Sequence, residues 1–250
     1  MGLFGGVHYL DYKGGTVLAS KFRGFPPEAM EFFRGLARHN TREWFQPRKQ
    51  IFEETVRQPM LQLVEALNGE LLRFAPLHAT DPEKAIFRFY RDTRFSKDKS
   101  PYKDRIAATF PRRGMVRHQG AMYYFSVNDK GVAMGGGLYM PMPETLLAVR
   151  NHIAVHHEDM RAIIAAKPPT RLYGELQGES LARVPKGFPA THPAAGLLKR
   201  KHFFYYVETD PQVALTPALV PLLRKHFEAI TPLVDFLNSG VVGKKKPGHE

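Results

Sequence analysis

The sequence predicts an α+β fold, with N-terminal helices, a mainly antiparallel central sheet, and C-terminal helices packed on it. Apolar residues recur with a helical period towards both ends of the chain, whereas alternating, β-rich stretches are confined to its middle. The regular alternation of strand and helix that builds a parallel sheet is missing. Because 43% of the 250 residues are hydrophobic, we expect one domain over residues 24–240, an N-terminal extension at 1–23 and a disordered basic tail at 241–250.

Two helices are predicted before the sheet. The first begins after Phe25 at the pair Pro26–Pro27, because proline is tolerated in a first helical turn. Asn40 is expected to end this helix and to cap the second, with Glu43 completing an Asn version of the capping box. Pro59 is expected to kink or divide the long second helix, because it lacks a backbone N–H. The apolar face of that helix consists of Phe45, Phe52, Val56, Met60, Leu63, Val64, Leu67 and Leu71.

The middle of the chain predicts an antiparallel sheet. Residues 128–131 (Asn-Asp-Lys-Gly) form a hairpin signal, because glycine accepts the positive φ that such turns need. A further strand fits residues 203–207, and helices fit about 143–166 and about 216–237. The four central strands are predicted at 85–91, 105–110, 121–127 and 132–139.

Composition excludes several classes of protein. Cysteine is absent, which rules out disulfides, thiolate nucleophiles and cysteine zinc sites and fits a reducing, cytoplasmic location. No stretch approaches the roughly 20 apolar residues of a membrane helix. We expect no metal and no cofactor, since neither a Walker loop nor a serine-nucleophile motif is present.

The chain is strongly basic, with a formal charge of +12 and a pI near 9.9. Such a charge attracts phosphate-rich partners such as nucleic acid, nucleotides or anionic lipid, although an ordinary basic protein has the same property. The excess is local: residues 84–117 contain eleven basic and three acidic residues. We call residues 88–103, the aromatic-rich part of this stretch, the basic segment.

The basic segment predicts an anion site. On a strand, Arg88, Tyr90 and Asp92 would lie on one face and Phe89 and Arg91 on the other. Cations on both faces are costly unless each has a partner or contacts water. Arginine forks, mobile lysines and loop amides together make a credible oxyanion cradle. The candidate ligand-binding residues are Arg42, Arg88, Arg91, Asp92, Arg94, Ser96, Lys97, Lys99, Tyr102 and Lys103.

Other interpretations of the basic segment stay open. Phe95 and Tyr102 can stack on a base or sugar, which makes nucleic acid one candidate partner. In an enzyme, the arginines and Lys97 would hold an anionic small molecule, and Asp92, Glu43 or His192 would transfer protons. In a purely structural network, Arg88 or Arg91 would pair with Asp92, and Lys97 or Lys99 with Asp98.

Residues 91–103 (RDTRFSKDKSPYK) resemble the signature of the family catalogued as domain of unknown function 2461. The resemblance covers roughly residues 25–238, although His39 stands where the family has the first Asn of its NNREWF element. It implies a single-domain, mainly bacterial protein and supplies no chemistry. The other matching stretches are residues 40–45 (NTREWF), residues 135–141 (GGGLYMP) followed by Arg150, and residues 186–188 (KGF) with residues 192–193 (HP).

The remaining motifs are weaker. Asn40, Arg42, Glu43 and Trp44 are candidates for contact with the basic segment, although Trp44, the only tryptophan, is expected to be a core anchor with a polar edge. Residues 135–137, three glycines, either let a ligand approach the backbone or mark a bulge or close packing. His152 and His156 have the spacing of zinc ligands, but without an HExxH context a solvated helix end is favoured.

Overall fold

A computed structural model describes residues 22–94, 96–115 and 118–242, and it confirms the α+β class, with helices on both sides of a central antiparallel sheet along the chain. Phe95, almost all of the predicted extension and the predicted tail from residue 243 lie outside the described residues. No helix in the described ranges is long and apolar enough to cross a membrane.

The sheet has four antiparallel strands in the order β1-β2-β3-β4. The predicted hairpin is present, because the Asn128 side chain accepts hydrogen bonds at 3.0 Å from the backbone N–H groups of Lys130 and Gly131. The strands are β1 (Ile106–Pro111), β2 (Met122–Val127), β3 (Val132–Leu138) and β4 (Phe203–Thr209).

The strand predicted at 85–91 is wrong. This stretch makes only isolated pairs, Ile86 with Ala108 and Tyr90 with Tyr102, and the fourth strand of the sheet is β4. A short helix occupies its first residue, and its arginines keep access to water, which a paired strand with two covered faces would deny them.

The N-terminal helices differ from the prediction at two points. Thr41, not Asn40, caps the second helix, because its hydroxyl accepts from the N–H of Trp44 at 3.3 Å. Ahead of Pro59 the helix widens into a π-helical turn, Phe52–Arg57, a form that accommodates the missing proline N–H. The helices are α1 (Pro27–Arg38), α2 (Arg42–Phe45), α3 (Lys49–Ile51), α4 (Gln58–Phe74) and α5 (Pro82–Ala85).

The C-terminal helices include two where one was predicted. The helix expected over 143–166 is broken at His156, whose φ of −115° and ψ of 38° are not helical. The last helix begins after residue 218 and extends to residue 242, beyond its predicted end. The helices are α6 (Pro143–Val155), α7 (His157–Ala165), α8 (Lys167–Tyr173), α9 (Ala195–Leu198) and α10 (Leu219–Val242).

Helix α10 covers one face of the sheet. Its Phe227 ring lies 5.0 Å from the Tyr123 ring and 6.0 Å from the Phe110 ring, and the Tyr123 hydroxyl bonds to Thr231 at 3.0 Å. Near its end, the Asn238 amide bonds both the N–H and the C=O of Ala121, at 2.8 and 3.1 Å. These contacts fix the sheet against α10. The Phe87 N–H, just before the basic segment, donates to the Ala107 carbonyl of β1 at 2.8 Å.

The three glycines of β3 are explained by close packing. A Cβ on Gly135 would lie 2.0 Å from the Tyr205 carbonyl oxygen, and one on Gly136 would lie 2.6 Å from that of Met122. Gly137 has a φ of +121°, a backbone conformation that favours glycine. Neighbouring backbone therefore approaches too closely for side chains here, in agreement with the packing interpretation of the motif.

Candidate functional site

Asn40 joins the N-terminal helices to the basic segment. Its amide nitrogen donates to the Tyr102 carbonyl at 3.0 Å, and its amide oxygen accepts from the Tyr102 N–H at 3.1 Å. An asparagine amide has one donor group and one acceptor, so it satisfies both polar groups of one residue's backbone. The neighbouring Thr41 caps α2, and Asn40 is therefore free to make this contact across 62 residues.

The two ends of the basic segment run antiparallel beside each other. The Arg91 N–H donates to the Pro101 carbonyl at 2.9 Å, and the Lys103 N–H donates to the Phe89 carbonyl at 2.9 Å. Tyr90 and Tyr102 form the bridge between these two bonds. We call this short ribbon the base of the segment, and residues 92–100 together with the Arg91 side chain its tip.

Aromatic side chains pack beneath the base. The Tyr102 ring stacks on the Phe45 ring with centroids 4.2 Å apart, and the Phe89 ring lies 4.4 Å from the Phe52 ring. Trp44 is half-buried and carries the Arg48 guanidinium 4.6 Å from its ring centroid, an arrangement that combines a packed body with a polar contact. The base is thus held by a packed aromatic cluster as well as by hydrogen bonds.

The hydroxyl of Tyr102 is the most unusual group in the base. Tyr102 has 0% exposure, and its hydroxyl oxygen has no hydrogen-bond partner among the described residues. Burial raises the pKa of Tyr102 most, and the neighbouring Tyr90 raises it further. Arg42 lowers this pKa and Glu43 raises it, so Tyr90, Arg42 and Glu43 all lie within electrostatic range of the Tyr102 hydroxyl. At neutral pH the phenol is therefore protonated, and leaving such a donor unsatisfied costs roughly 1–3 kcal/mol.

The tip is held largely by its own ion pairs. Arg91 pairs with Asp98, and Arg94 donates to Asp92 from Nη2 at 2.8 Å and from Nε at 3.0 Å. These bonds from Arg94 lower the pKa of Asp92 to about 2. Ser100, and after it Arg91, holds the pKa of Asp98 well below its usual range. Both carboxylates are consequently ionised at neutral pH.

Two lysines of the segment also have contacts. Lys99 donates to the Thr93 carbonyl at 2.9 Å, rather than pairing with Asp98 as the structural alternative expected. The Lys103 ammonium lies 4.8 Å from the centroid of the Phe87 ring, a cation–π arrangement. Asp98 pairs with Arg91, whereas the expectation for Arg91 was Asp92.

Three predicted cations lack such contacts. The side chains of Arg42, Arg88 and Lys97 form no hydrogen bond or ion pair with any residue that the structure describes. Arg88 lines a cavity of about 340 Å³, together with Tyr90 and with Arg57, whose partners are Glu53 and Glu83. The other candidate residues do not line it; they are Arg42, Arg91, Asp92, Arg94, Ser96, Lys97, Lys99, Tyr102 and Lys103.

Sequence reasoning missed the role of Tyr90 in the base. Tyr90 bridges to Tyr102, and their ring centroids are 5.2 Å apart. Asn40 was predicted both to cap the second helix and to contact the basic segment; the contact is confirmed, whereas the adjacent Thr41, an equally good cap, caps the helix.

The contacts of the candidate histidines are with residues outside the basic segment. The His152 and His156 rings are 4.6 Å apart at the break between α6 and α7, and His156 Nδ1 lies 3.7 Å from Asp159. Across the described ranges, no three His, Asp or Glu side chains are grouped as metal ligands. His192 Nδ1 accepts from the Ala194 N–H at 3.0 Å, and its ring lies near His157.

Comparison with known proteins places the chain in one family. The family model described as "Conserved hypothetical protein (DUF2461)" matches residues 28–236, which is most of the chain. The match includes the base, the tip and the Asn40 contact. No curated protein and no solved structure matches.

Proposed function

The chain belongs to the DUF2461 family, whose description names no ligand, and we propose that it binds a phosphate-bearing ligand beside Tyr102 and Arg42. The observation that carries this proposal is the buried, unpartnered hydroxyl of Tyr102. A phosphate oxygen accepts from a protonated phenol once the side chains that shield the hydroxyl from solvent move aside, and binding would remove the cost of the unsatisfied donor.

The surrounding charge favours an anion over a neutral acceptor. Arg42 lies within electrostatic range of the Tyr102 hydroxyl and has no ion pair with a described residue. Arginine presents a planar fork of donors that matches phosphate oxygens. Arg88 and Lys97, also without such pairs, add positive charge along the same segment and raise the local concentration of anions.

Substitution of the hydroxyl alone tests the proposal. Tyr102→Phe keeps the stacked ring and removes only the donor, so the free protein should be at least as stable as wild type in urea. Binding of inorganic pyrophosphate, measured by calorimetry, should weaken at least fivefold in Tyr102→Phe and in Arg42→Gln. Arg183→Gln, an exposed charge in a distant part of the sequence, is the matched control and should bind as wild type.

The salt response separates small anions from nucleic acid. If the ligand is a nucleic acid, affinity for a short oligothymidylate should exceed that for pyrophosphate and fall steeply between about 50 and 200 mM salt. If Tyr102→Phe and Arg42→Gln change neither the pyrophosphate affinity nor the oligothymidylate affinity, the proposal is overturned. The charges of the basic segment would then have a structural role only.

An enzyme is the second candidate function, and one observation favours it. The ionised Glu43 lies in electrostatic range of the protonated Tyr102, because hydrogen bonds from its own backbone N–H and from Thr41 lower the pKa of Glu43 while burial raises that of Tyr102. A base and an acid at one anion site can transfer protons. If the wild type converts an anionic substrate, loss of that conversion in Glu43→Gln with pyrophosphate binding retained would distinguish this function from binding alone.

A further inference from the structure

A second cavity lies between α7, α8, α10 and β4. Its volume is about 480 Å³, within the range of roughly 300–1,000 Å³ typical of small-molecule sites. Its walls are mostly apolar, with Ile163 and Leu172 on one side, Ile230 and Leu233 on the other, and Tyr205 between them. None of its lining residues belongs to the basic segment or to the base described above.

Two cations stand at the rim of this cavity. Arg171 and Lys225 are exposed, and within the described ranges neither side chain has a hydrogen bond or an ion pair. The carboxylate at the rim, Glu228, already accepts from Arg224 at 3.4 Å. The rim therefore offers net positive charge next to an apolar interior.

The interior also contains polar capacity that the protein itself uses weakly. The Tyr205 hydroxyl, in a residue only 1% exposed, has one contact, to the Ile164 carbonyl at 3.5 Å, the limit of a hydrogen bond. Pro232, inside α10, has no N–H to donate to the carbonyl of Glu228 four residues earlier. Both Tyr205 and Pro232 line the cavity, so its wall is not entirely apolar.

We propose that this cavity binds an amphipathic anion, specifically a medium-chain carboxylate, with its chain against Leu172 and Ile230 and its head group on Arg171 and Lys225. The apolar walls supply affinity in proportion to the chain that they bury, about fourfold for each CH2 group. The cations select a charged head over a neutral one. A purely apolar ligand would leave both cations unused, and a docked acidic helix would require more charge than this rim provides.

Binding of hexanoate, octanoate and decanoate to the full chain, measured by calorimetry below their micelle concentrations, tests this proposal. Affinity should rise with each added pair of CH2 groups, and decan-1-ol should bind at least fivefold more weakly than decanoate. Ala229→Phe, which places a ring in the cavity, should weaken decanoate binding at least tenfold, and Lys225→Gln should weaken it several-fold. Thermal melts would confirm that each variant is folded.

Matched controls come from α7 and α8, two other helices that line the cavity. Ala162→Phe and Lys167→Gln change exposed residues of α7 and α8 that do not line the cavity, and both should bind decanoate as wild type. Equal weakening by Ala162→Phe and Ala229→Phe, absence of binding, or equal affinity for decanol and decanoate would each overturn the proposal. Pyrophosphate binding should be unchanged in Ala229→Phe and Lys225→Gln, so this test and that of the proposed function can fail independently.

Discussion

The base and the tip of the basic segment both contain cations but are stabilised in different ways. The base is joined to the core by paired backbone, by the Asn40 amide and by the stacked Phe45 and Tyr102 rings. The tip is closed by exposed ion pairs such as Arg94 with Asp92. Exposed ion pairs contribute little to stability, because water solvates both partners well when they are apart.

This difference separates charge density from the location of the site. The tip contains most of the charged residues of the segment, but Asp92 and Asp98 offset part of its positive charge and are the partners of Arg94 and Arg91. In the base, the Tyr102 hydroxyl has no hydrogen-bond partner among the described residues, and Arg42, within electrostatic range of it, has no ion pair among them. Under the proposed function, the specific contacts of the ligand would be in the base, and the tip would add only long-range attraction.

Asn40→Ala should have the largest effect on stability. The substitution removes two hydrogen bonds and leaves the N–H and C=O of Tyr102 without their partner in a partly buried position, so we expect a loss of about 2–3 kcal/mol in the free energy of unfolding. Urea denaturation would measure it. Thr41→Ala, which removes the neighbouring cap, is the control, with an expected loss of about 1 kcal/mol. A loss for Asn40→Ala no greater than that control would show that the base is not fixed by this contact.

The pH dependence of stability should separate the tip from the core. Burial lowers the pKa of His78, so the unfolded chain takes up a proton first, and stability should fall as the pH drops below about 6.5. The slope contributed by His78 can reach about 1.4 kcal/mol per pH unit. The pKa of Asp92 is also lowered, from 3.8 to about 2, and its contribution is lost only as the pH falls through that range.

Denaturation of wild type and His78→Gln between pH 8 and pH 5 would test this separation. The variant should show a shallower fall in stability than wild type, although His226, whose pKa burial also lowers, maintains part of the slope. The double variant Asp92→Asn, Asp98→Asn should follow the slope of wild type over the same interval. A steeper or flatter slope in that double variant would mean that the tip carboxylates affect the titration of groups in the core.

Local patterns predicted most of the fold, and long-range contacts account for what they missed. The 128–131 hairpin and the helical stretches follow from spacing and turn chemistry that act over a few residues. Residues 85–91 alternate like a strand and lie beside β1, yet they make only the isolated pair of Ile86 with Ala108 there, and β4 pairs with β3 at the opposite edge of the sheet. A sequence pattern does not reveal which segment pairs along its length with the edge strand of a sheet.

The candidate site was predicted in the same partial way. The cluster of cations was visible as a charge excess, whereas the partner of each cation was not. Asn40 and Thr41 are both good caps, and only the folded chain shows that Asn40 bonds Tyr102. The Tyr102 ring packs against the Phe45 and Phe89 rings, which come from two different parts of the chain.

Neutralising the tip should have the smallest effect on stability and a distinct effect on binding. In Arg91→Gln, Arg94→Gln the denaturation midpoint should equal that of wild type, because both ion pairs are exposed. Pyrophosphate affinity should fall less than in Arg42→Gln, since these arginines attract the anion without contacting it. That small loss should vanish as salt rises, because screening removes long-range attraction first. If the double variant instead lost more affinity than Arg42→Gln at every salt concentration, the tip itself would be the binding surface, and the carboxylates of Asp92 and Asp98 would have to give up their arginines when the ligand binds.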